Sequence, residues 1–466
     1  MNVDSFADAL RQGLPLDFTP ETNSLEFAKA MDARDEIGHM RSQFIIPTKG
    51  SLRWMKSPDP ARANQTNGDD DEPSIYLVGN SLGAQPKAVS AAIATHLSTW
   101  ANIGVNGHFT TPNSSTFPAW QDLAESCATK TAPLVGALPS EVTVMNTLTT
   151  NLHLLMATFY RPTPTRHKII IEWRPFPSDW YAVQSQLTHH GYPSTSLIEI
   201  QPSSNLLLST ADIISCIDAH ASSTALLLLP GIQYYTGQRL NIPLITSHAQ
   251  ARGIVVGWDL AHAIGNIPLS LHGWNVDFAV WCNYKYLNAG PGAIAGAFVH
   301  QRHFDKHRLA GWYGQDKATR FEMGREFIPA YGAAGWQMGN PSGVDLAGLR
   351  AALGVWEGVD ELEKVWRKGR GLTGWLEYLL QGVEGTFKVL TPSDEKERGS
   401  QLSLEVGEEV VDTIGRVLEE KGVVCDVRRP GVIRVAPVPL YCTWVDVWRF
   451  VDAFKDAMME VKGERA

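Results

Sequence analysis

The chain lacks the marks of several large classes of protein. Its five cysteines stand apart and form no Cys-x-x-Cys pair, so neither a disulfide framework nor a zinc site is indicated. Its longest apolar run, around 225–229, is far shorter than the roughly 20 residues that a membrane span needs. The start, MNVDSFADALRQ, carries early acids and no apolar stretch, which is unlike a signal peptide. Together these absences predict a reduced, soluble, cytoplasmic protein.

A strongly basic surface is also missing. The formal net charge is -9 and no long stripe of lysine and arginine occurs, which argues against nucleic acid or an anionic membrane as the main partner. Hydrophobic residues make up 44% and charged residues 19% of the 466 positions, a globular balance that excludes a mainly disordered or fibrous chain. This length allows two or three domains and a large buried core.

Short apolar runs alternate with helix-like stretches through the middle of the chain. The runs lie at 75–78, 167–173, 224–230, 253–260, 276–282 and 293–300. Several are apolar throughout, which is typical of buried parallel strands. We therefore predict a large α/β domain over 74–344 with a covered, mainly parallel sheet. After it we predict a smaller α+β domain over 345–466, where Glu, Lys and Gly are more frequent.

Residues 1–73 are predicted to form a separate N-terminal segment that packs on the body of the protein. Apolar residues recur at helical spacing over 24–45, which predicts an amphipathic helix. The stretch 60–73 is polar and acidic and ends in proline, which predicts a surface loop.

Several familiar catalytic motifs are absent from the sequence. There is no GxxxxGK[ST] loop, no HExxH and no GxSxG after a strand, and Gly290 and Gly292 are not part of a GxGxxG fingerprint. The remaining chemistry is concentrated where predicted strands end, which is where open α/β sheets bind their ligands.

Asp259 and Lys285 follow two successive predicted strands. An aspartate at the end of a buried strand must meet a cation or donors, and a protonated pyridine nitrogen is one such cation. Taken alone, Asp259 also fits a helix N-cap. A desolvated lysine can form a Schiff base, although Lys285 alone also fits a lysine whose charged end reaches the surface. The pair, with the Gly-rich NAGPGAIAG after the lysine, is what a pyridoxal 5′-phosphate (PLP) enzyme requires.

Two further segments fit the same cofactor. Residues 146–151 (NTLTTN) open a predicted helix, and the backbone N–H groups at a helix start suit a phosphate. The same cluster of hydroxyls and amides also fits an ordinary helix cap. Residues 176–179 (FPSD) can stack an aromatic ring on a flat cofactor and supply a polar edge, although Pro-Ser-Asp is common in turns as well.

Nine segments, in order from residue 76 to residue 441, carry a family resemblance. They are YLVGNSLGAQPK (76–87), NTLTTNLH (146–153), FPSD (176–179), GIQYYTGQ (231–238), WDLAHAIGN (258–266), WCNYKYLNAGPG (281–292), GWYG (311–314), MGNP (338–341) and RVAPVPLY (434–441). With these motifs the chain resembles the kynureninases, which are aminotransferase-like, fold-type I PLP enzymes. The resemblance implies hydrolysis of kynurenine or 3-hydroxykynurenine to L-alanine and anthranilate or 3-hydroxyanthranilate, in tryptophan degradation and NAD biosynthesis, by a homodimer.

The resemblance also implies roles for individual residues. Lys285 would be the Schiff-base lysine, Asp259 would hold the pyridinium nitrogen, and Tyr284 would act as a general acid and base. The other residues implied at the cofactor are Leu148, Thr149, Phe176, Pro177, Ser178, Asp179, His262, Asn340 and, from the partner subunit, Trp312. The residues implied at the substrate are Ser81, His108, Asn340 and Arg434, with Arg434 on the α-carboxylate. No metal is implied.

Two positions depart from the family pattern. Pro230 and Gly339 stand where related sequences can carry a serine. Proline has no backbone N–H and no hydroxyl, so Pro230 is not counted among the cofactor ligands. Gly339 removes a possible side-chain hydrogen bond and leaves the preferred ring of the substrate open.

Two alternatives remain at this point. A cysteine desulfurase would share the fold but would need a mobile catalytic cysteine, and neither Cys282 nor Cys442 lies in an obvious exposed Gly-rich loop. A PLP-fold protein used only for binding or as a scaffold would have no need of the intact catalytic residues.

Overall fold

The computed structural model describes residues 3–54, 70–112, 115–203 and 205–464, so most of the acidic loop predicted over 60–73 lies outside the described residues. In chain order the helices are α1 (Val3–Arg11), α2 (Leu25–Asp32), α3 (Lys49–Trp54), α4 (Lys87–Ile103), α5 (Trp120–Val135), α6 (Leu148–Phe159), α7 (Pro177–His189), α8 (Thr210–His220), α9 (Ile242–Gln250), α10 (Gly343–Glu357), α11 (Leu362–Leu380), α12 (Val411–Glu420) and α13 (Trp444–Glu464). The strands are β1 (Phe44–Ile45), β2 (Ile75–Tyr76), β3 (Gln85–Pro86), β4 (Val142–Val144), β5 (Lys168–Glu172), β6 (Leu197–Ile200), β7 (Thr224–Pro230), β8 (Val255–Asp259), β9 (Phe278–Trp281), β10 (Gly296–Val299), β11 (Lys388–Val389), β12 (Leu402–Glu405), β13 (Val423–Val424), β14 (Asp426–Arg428) and β15 (Val432–Val435).

These elements form two compact units. The terminal unit comprises Met1–Lys87, Tyr235–Gly237 and Val359–Ala466, and the central unit comprises Ala88–Tyr234 and Gln238–Gly358. The domain limits that the sequence places at 74 and 345 stay a prediction. Within the described part of the chain, no helix combines the length and the apolar character that crossing a membrane requires.

The central unit is built on a seven-stranded sheet in the order β4-β10-β9-β8-β7-β5-β6. Neighbours from β6 through β5, β7 and β8 to β9 are parallel, whereas β10 is antiparallel to both β9 and β4. Side chains of α6 and α7 share one apolar core with β5, β7, β9 and β10, in which the rings of Phe159 and Phe278 stack at 4.8 Å. The predicted α/β class with a covered, mainly parallel sheet is confirmed.

The order of the strands decides where a ligand can bind. From β5 the chain goes outward to β6 and then crosses to the other side of β5 to form β7. In open parallel sheets such a reversal leaves a crevice at the carboxyl ends of the strands, where ligands bind. The residues that end β5, β7 and β8 are Glu172, Pro230 and Asp259.

The terminal unit joins the two ends of the chain. It contains an antiparallel sheet in the order β11-β12-β15-β14 and a parallel pair between β2 and β13. The run 75–78 therefore pairs with β13 and is not a strand of the seven-stranded sheet. Backbone N–H groups of Ile75 and Leu77 donate to carbonyls of Gly422 and Val424 instead. No local sequence pattern predicts this pairing.

The amphipathic helix predicted over 24–45 is only partly present. Helix α2 ends at Asp32, and a 3-10 helix follows over 38–43. The Asp35 carboxylate accepts a hydrogen bond from the backbone N–H of Ile37 at 3.1 Å, which gives the backbone an alternative to the helix. Lys368 holds the same carboxylate in a buried ion pair at 2.6 Å. This fixed turn stops the helix although the apolar spacing continues.

Candidate active site

One cavity of the central unit lies at the carboxyl ends of the parallel strands. It is lined by Leu148, Thr149, Glu172, Phe176, Ser178, Asp179, Pro230, Ile232, Tyr234, Asp259, Ala261, His262, Cys282, Tyr284 and Lys285. Nine of these residues were singled out from the sequence as cofactor or catalytic residues, and the fold brings them together from four separate segments. These residues were predicted because open α/β sheets bind ligands at the carboxyl ends of their strands, and the cavity lies at those strand ends.

The centre of the cavity holds a lysine, a histidine and an aspartate. Lys285 Nζ lies 2.8 Å from His262 Nε2, and both residues are buried. Only 8% of Lys285 is exposed, so its amine does not reach the surface. Asp259 Oδ1 accepts a hydrogen bond from the N–H of Ala261 at 2.7 Å, and turns rather than a helix follow it. The helix N-cap alternative for Asp259 is therefore not realised.

The loop after Lys285 is held by its own backbone and by Asn283. The Asn283 side-chain amide donates to the carbonyl of Ile294 at 2.6 Å, and the N–H of Asn288 donates to the carbonyl of Lys285. Asn288, Gly290 and Gly292 have φ values of 59°, 104° and 68°, which glycine and asparagine tolerate. The sequence NAGPG is thus required by the turn that returns the chain to β10.

One end of the cavity is the start of helix α6. Leu148 and Thr149 begin this helix, and Thr147 precedes it in an extended conformation. The Thr147 hydroxyl lies 3.1 Å from the hydroxyl of Thr150 and makes no hydrogen bond to a helix N–H, so it is not an ordinary cap. The first N–H groups of α6 therefore face the cavity without a side-chain cap from Thr147, as an anion site at a helix N-terminus requires.

An aromatic pair forms a wall of the cavity. The ring of Phe176 meets the ring of Tyr234 edge to face at 5.3 Å, and Lys285 Nζ lies 5.7 Å from the centre of the Phe176 ring. Phe176 stands at the N-cap of α7 and remains 38% exposed. This partial exposure allows the ring to contact a flat ligand.

Three carboxyl groups share the cavity. Burial raises the pKa of Glu172 well above its usual range, and the nearby Asp259 raises it further against the effect of a hydrogen bond from Gln233. Burial also raises the pKa of Asp179, and the charge and hydrogen bond of Asp259 and the charge of Glu172 add to this, opposed by Lys285. Because several buried negative charges beside one lysine are unfavourable, Glu172 and Asp179 favour their protonated forms.

Tyr284 and Cys282 lie side by side next to Lys285. Burial raises the pKa of the Tyr284 hydroxyl, as does the neighbouring Cys282, to which it is hydrogen-bonded. Burial likewise raises the pKa of the Cys282 thiol, and burial does the same for Cys442 in the terminal unit. A buried thiol that holds its proton is a poor nucleophile, so neither cysteine suits the chemistry of a desulfurase.

The donor set of this cavity fits PLP. Glu172 Oε2 and Asp179 Oδ1 are buried and have no hydrogen-bond partner among the described residues, which is the state expected of groups that face a polar ligand. The cavity also offers a buried amine, a carboxyl group for a ring nitrogen, an aromatic wall and a helix start for a phosphate. These are the groups that the cofactor needs.

The remaining predicted residues do not line this cavity in the described part of the chain. Pro177 follows Phe176 but is not among the lining residues, and His108, Trp312 and Asn340 lie elsewhere in the central unit. The predicted substrate residues Ser81 and Arg434 belong to the terminal unit. At Gly339 a Cβ would meet no atom within 4 Å, so no steric constraint accounts for the missing serine.

Glu172 and Tyr234 line the cavity but were not predicted from the sequence as site residues. For Glu172 a signal existed, because it is an acid that ends an apolar strand, as Asp259 is. Tyr234 lies in the quoted motif GIQYYTGQ, but nothing in the spacing distinguishes it from Tyr235. Only the fold turns the first of these two tyrosines toward Phe176.

The raised pKa of Glu172 leads to a stability prediction. In the unfolded chain Glu172 ionises above about pH 4.3, whereas the folded protein keeps it protonated, so folding loses stability as pH rises from 4.3 to the folded-state pKa. Glutamine has no such proton. We expect Glu172→Gln to stabilise the cofactor-free protein at pH 7, by at most ~1.4 kcal/mol for each pH unit above 4.3, and to change nothing below about pH 4.

Urea unfolding of both proteins between pH 4 and pH 8 measures this difference. The matched control is Glu26→Gln, because Glu26 is an exposed glutamate of α2. Curves for wild type and Glu172→Gln that stay parallel over the whole pH range would contradict a protonated Glu172.

Solved structures share the fold of this chain at low sequence identity. The cysteine desulfurase CsdA of Escherichia coli superposes with a TM-score of 0.70 at 17% identity, over 91% of this chain and 99% of that one. A mutant of the enzyme C-DES with glycine covalently linked to its PLP cofactor superposes with a TM-score of 0.68 at 18% identity, over 86% and 100% of the two chains. At these identities the similarity shows the fold-type I architecture alone.

Relatives with higher sequence identity show the family of this chain. Kynureninase 1 of Neurospora crassa is 54% identical over 96% of this chain and 98% of its own length. A kynureninase of Pyricularia oryzae is 51% identical over 96% of this chain and 97% of its own length. The family model described as kynureninase C-terminal domain matches residues 365–454. This chain belongs to the kynureninase family.

Proposed function

We propose that this enzyme uses PLP to hydrolyse L-kynurenine and 3-hydroxy-L-kynurenine to L-alanine and the corresponding anthranilate. The observation that carries the proposal is the buried contact of Lys285 with His262 beside Asp259, at the strand ends of a chain 54% identical to a kynureninase. The rival activity of a desulfurase lacks support, because both candidate thiols are buried and hold their protons.

Each residue of the cavity has a task in this reaction. PLP supplies an electron sink and a carbonyl that bonds covalently to amines. Asp259 keeps a positive charge on the ring nitrogen, because a buried carboxylate stabilises a neighbouring cation. Lys285 would hold the cofactor through its amine, and the same amine would take the proton from the substrate Cα. Tyr284 holds its proton because of its raised pKa, so it can donate at the substrate carbonyl.

The outer contacts of cofactor and substrate are also part of the proposal. Leu148 and Thr149 bind the phosphate at the start of α6, and Phe176 stacks on the ring. Arg434 binds the α-carboxylate, since its fork of N–H groups matches two carboxylate oxygens. The remaining contacts assigned to the substrate are those of Ser81, His108 and Asn340.

The direct test is to add kynurenine to purified protein with PLP and to follow anthranilate by its fluorescence. Release of anthranilate and alanine in equal amounts is expected. Release of sulfide from cysteine under the same conditions, without cleavage of kynurenine, would replace the proposal by a desulfurase. Comparing kcat/KM for kynurenine and 3-hydroxykynurenine then gives the ring preference.

We also propose that the enzyme is a homodimer whose subunits complete each other's sites. The central unit presents an exposed aromatic cluster, in which Phe321 contacts Phe109 at 5.2 Å and Trp312 at 5.5 Å between ring centres. Between 45% and 58% of each of these side chains is exposed. An exposed aromatic patch is typical of an interface. A cytoplasmic location stays a prediction from the sequence.

Mixing two inactive variants tests whether Trp312 acts across the interface. After subunit exchange between Lys285→Ala and Trp312→Ala, half of the dimers are hybrids, and each hybrid holds one complete site. We therefore expect about a quarter of the wild-type activity to return. The control is the same mixture without subunit exchange, which should stay inactive. Confirmed hybrids without activity would contradict the shared site.

A further inference from the structure

Arg434 forms a buried ion pair in the terminal unit. The proposed reaction assigns Arg434 to the substrate α-carboxylate but gives no role to this ion pair. Arg434 stands on β15, directly opposite Asp426 on the antiparallel strand β14. Arg434 Nη2 lies 2.6 Å from Asp426 Oδ2, and the side chains are only 2% and 8% exposed. Two side chains directly opposite on one face of an antiparallel pair are held close by the backbone. The sheet itself therefore fixes this contact.

Asp426 serves a second arginine at the same time. Arg428 Nε lies 2.7 Å from Asp426 Oδ1, and Arg428 Nη2 lies 3.0 Å from Oδ2. The Arg428 side chain is 37% exposed, so it is the most solvent-accessible of the three side chains. Two guanidinium groups and one carboxylate leave a net positive charge here.

Polar residues continue on the other side of Arg434. Ser403 on β12 is its register partner, and Gln401 Nε2 donates to the Ser403 hydroxyl at 3.1 Å. Asn80 Nδ2 donates to Gln401 Oε1 at 2.9 Å, and Asn80 directly precedes Ser81. The two substrate positions that the sequence suggested in this unit, Ser81 and Arg434, therefore adjoin one buried polar network.

We propose that Asp426 is the positioning residue for Arg434, fixing its guanidinium so that the fork receives the α-carboxylate of the substrate. The proposal rests on the proposed function. Arginine side chains carry several rotatable bonds, and a fixed guanidinium loses less freedom when it binds a carboxylate. Asp426 supplies this fixation through a charged hydrogen bond.

The test substitutes Asp426 in the PLP-loaded enzyme and separates KM from kcat. We expect Asp426→Asn to raise KM for kynurenine about tenfold, equivalent to about 1.4 kcal/mol, with kcat within about threefold of wild type. The amine that corresponds to kynurenine without its carboxylate should inhibit the variant and the wild type equally. If Asp426→Asn weakens the binding of kynurenine and of the amine alike, or leaves KM for kynurenine unchanged, Asp426 does not position Arg434.

Two further variants keep the test decisive. Asp426→Glu keeps the charge but displaces the guanidinium, so KM should rise while the fold is retained, and a wild-type KM would overturn the proposal even if Asp426→Asn does not fold. Arg428→Gln is the matched control, because it removes a charge but leaves the contact of Asp426 with Arg434. Because Asp426→Asn adds net positive charge and Arg428→Gln removes it, an equal rise of KM in both variants would indicate a general disturbance of this sheet and would overturn the positioning role of Asp426. Absence of kynurenine cleavage by the wild type would refute the proposed function instead.

Discussion

Replacing Lys285 with alanine is expected to lower kcat by on the order of 10³-fold or more, which is ~4 kcal/mol or more of transition-state stabilisation. Lys285 is the lysine that lines the cavity, and its amine is placed by the 2.8 Å contact with His262. Alanine removes both the covalent attachment of the cofactor and the base for the substrate Cα. PLP can still bind through its phosphate at the start of α6.

Borohydride reduction followed by peptide mapping checks this expectation independently of turnover. In the wild type the PLP adduct should be found on Lys285, and the variant should carry none. The matched control is Lys130→Ala, because Lys130 is also shielded and is ion-paired with Glu357, yet it lies outside the cavity. An adduct on a different lysine of the wild type would contradict the assignment of Lys285 as the lysine that bonds to PLP.

Replacing Asp259 with asparagine should reduce kcat by about 10³-fold, or ~4 kcal/mol, while the protein still folds and binds PLP. An amide has no charge with which to keep the ring nitrogen protonated. Asparagine can still accept the hydrogen bond that Ala261 donates to the side chain, so the turn after β8 should survive. The loss therefore falls on the chemistry rather than on the fold.

The control for Asp259→Asn is Asp277→Asn, which changes another buried aspartate, directly before strand β9 of the same sheet. Burial opposes ionisation of Asp277, but hydrogen bonds from His303, Arg302, Gln250 and the N–H of Val256 lower its pKa to about 2. Its loss should lower the free energy of unfolding above pH 4, where this carboxylate is ionised in both states, and leave kcat nearly unchanged. Near-native kcat in Asp259→Asn with bound PLP would refute the role of Asp259.

Much of the central unit could be predicted from local pattern. The apolar runs that became β5, β7, β8, β9 and β10 needed only their composition, since a strand buried on both faces has no polar side. Asp259 and Lys285 were found because charged groups are unfavourable at such strand ends without a partner. Glu172 obeys the same rule, so the sequence held enough information to predict it as well.

Other features could not be predicted locally. Helix α2 stops because Asp35 turns the backbone and Lys368 holds that carboxylate, a partner distant along the chain. Strand β2 leaves the main sheet because its hydrogen bonds go to β13 near the other end of the chain. Long-range pairing of this kind depends on the whole fold.

By itself the sequence determined five of the seven strands of the main sheet (β5 and β7 to β10), the residue types at their ends and the glycines of the loop after Lys285. These depend on burial along one strand and on the φ angles of single residues, which are local quantities. Only the tertiary structure decided that Lys285 meets His262, that Asp426 holds Arg434, and that Glu172 keeps its proton. Contact and protonation depend on desolvation and on charges brought near from distant parts of the chain, so they exist only once the chain has folded.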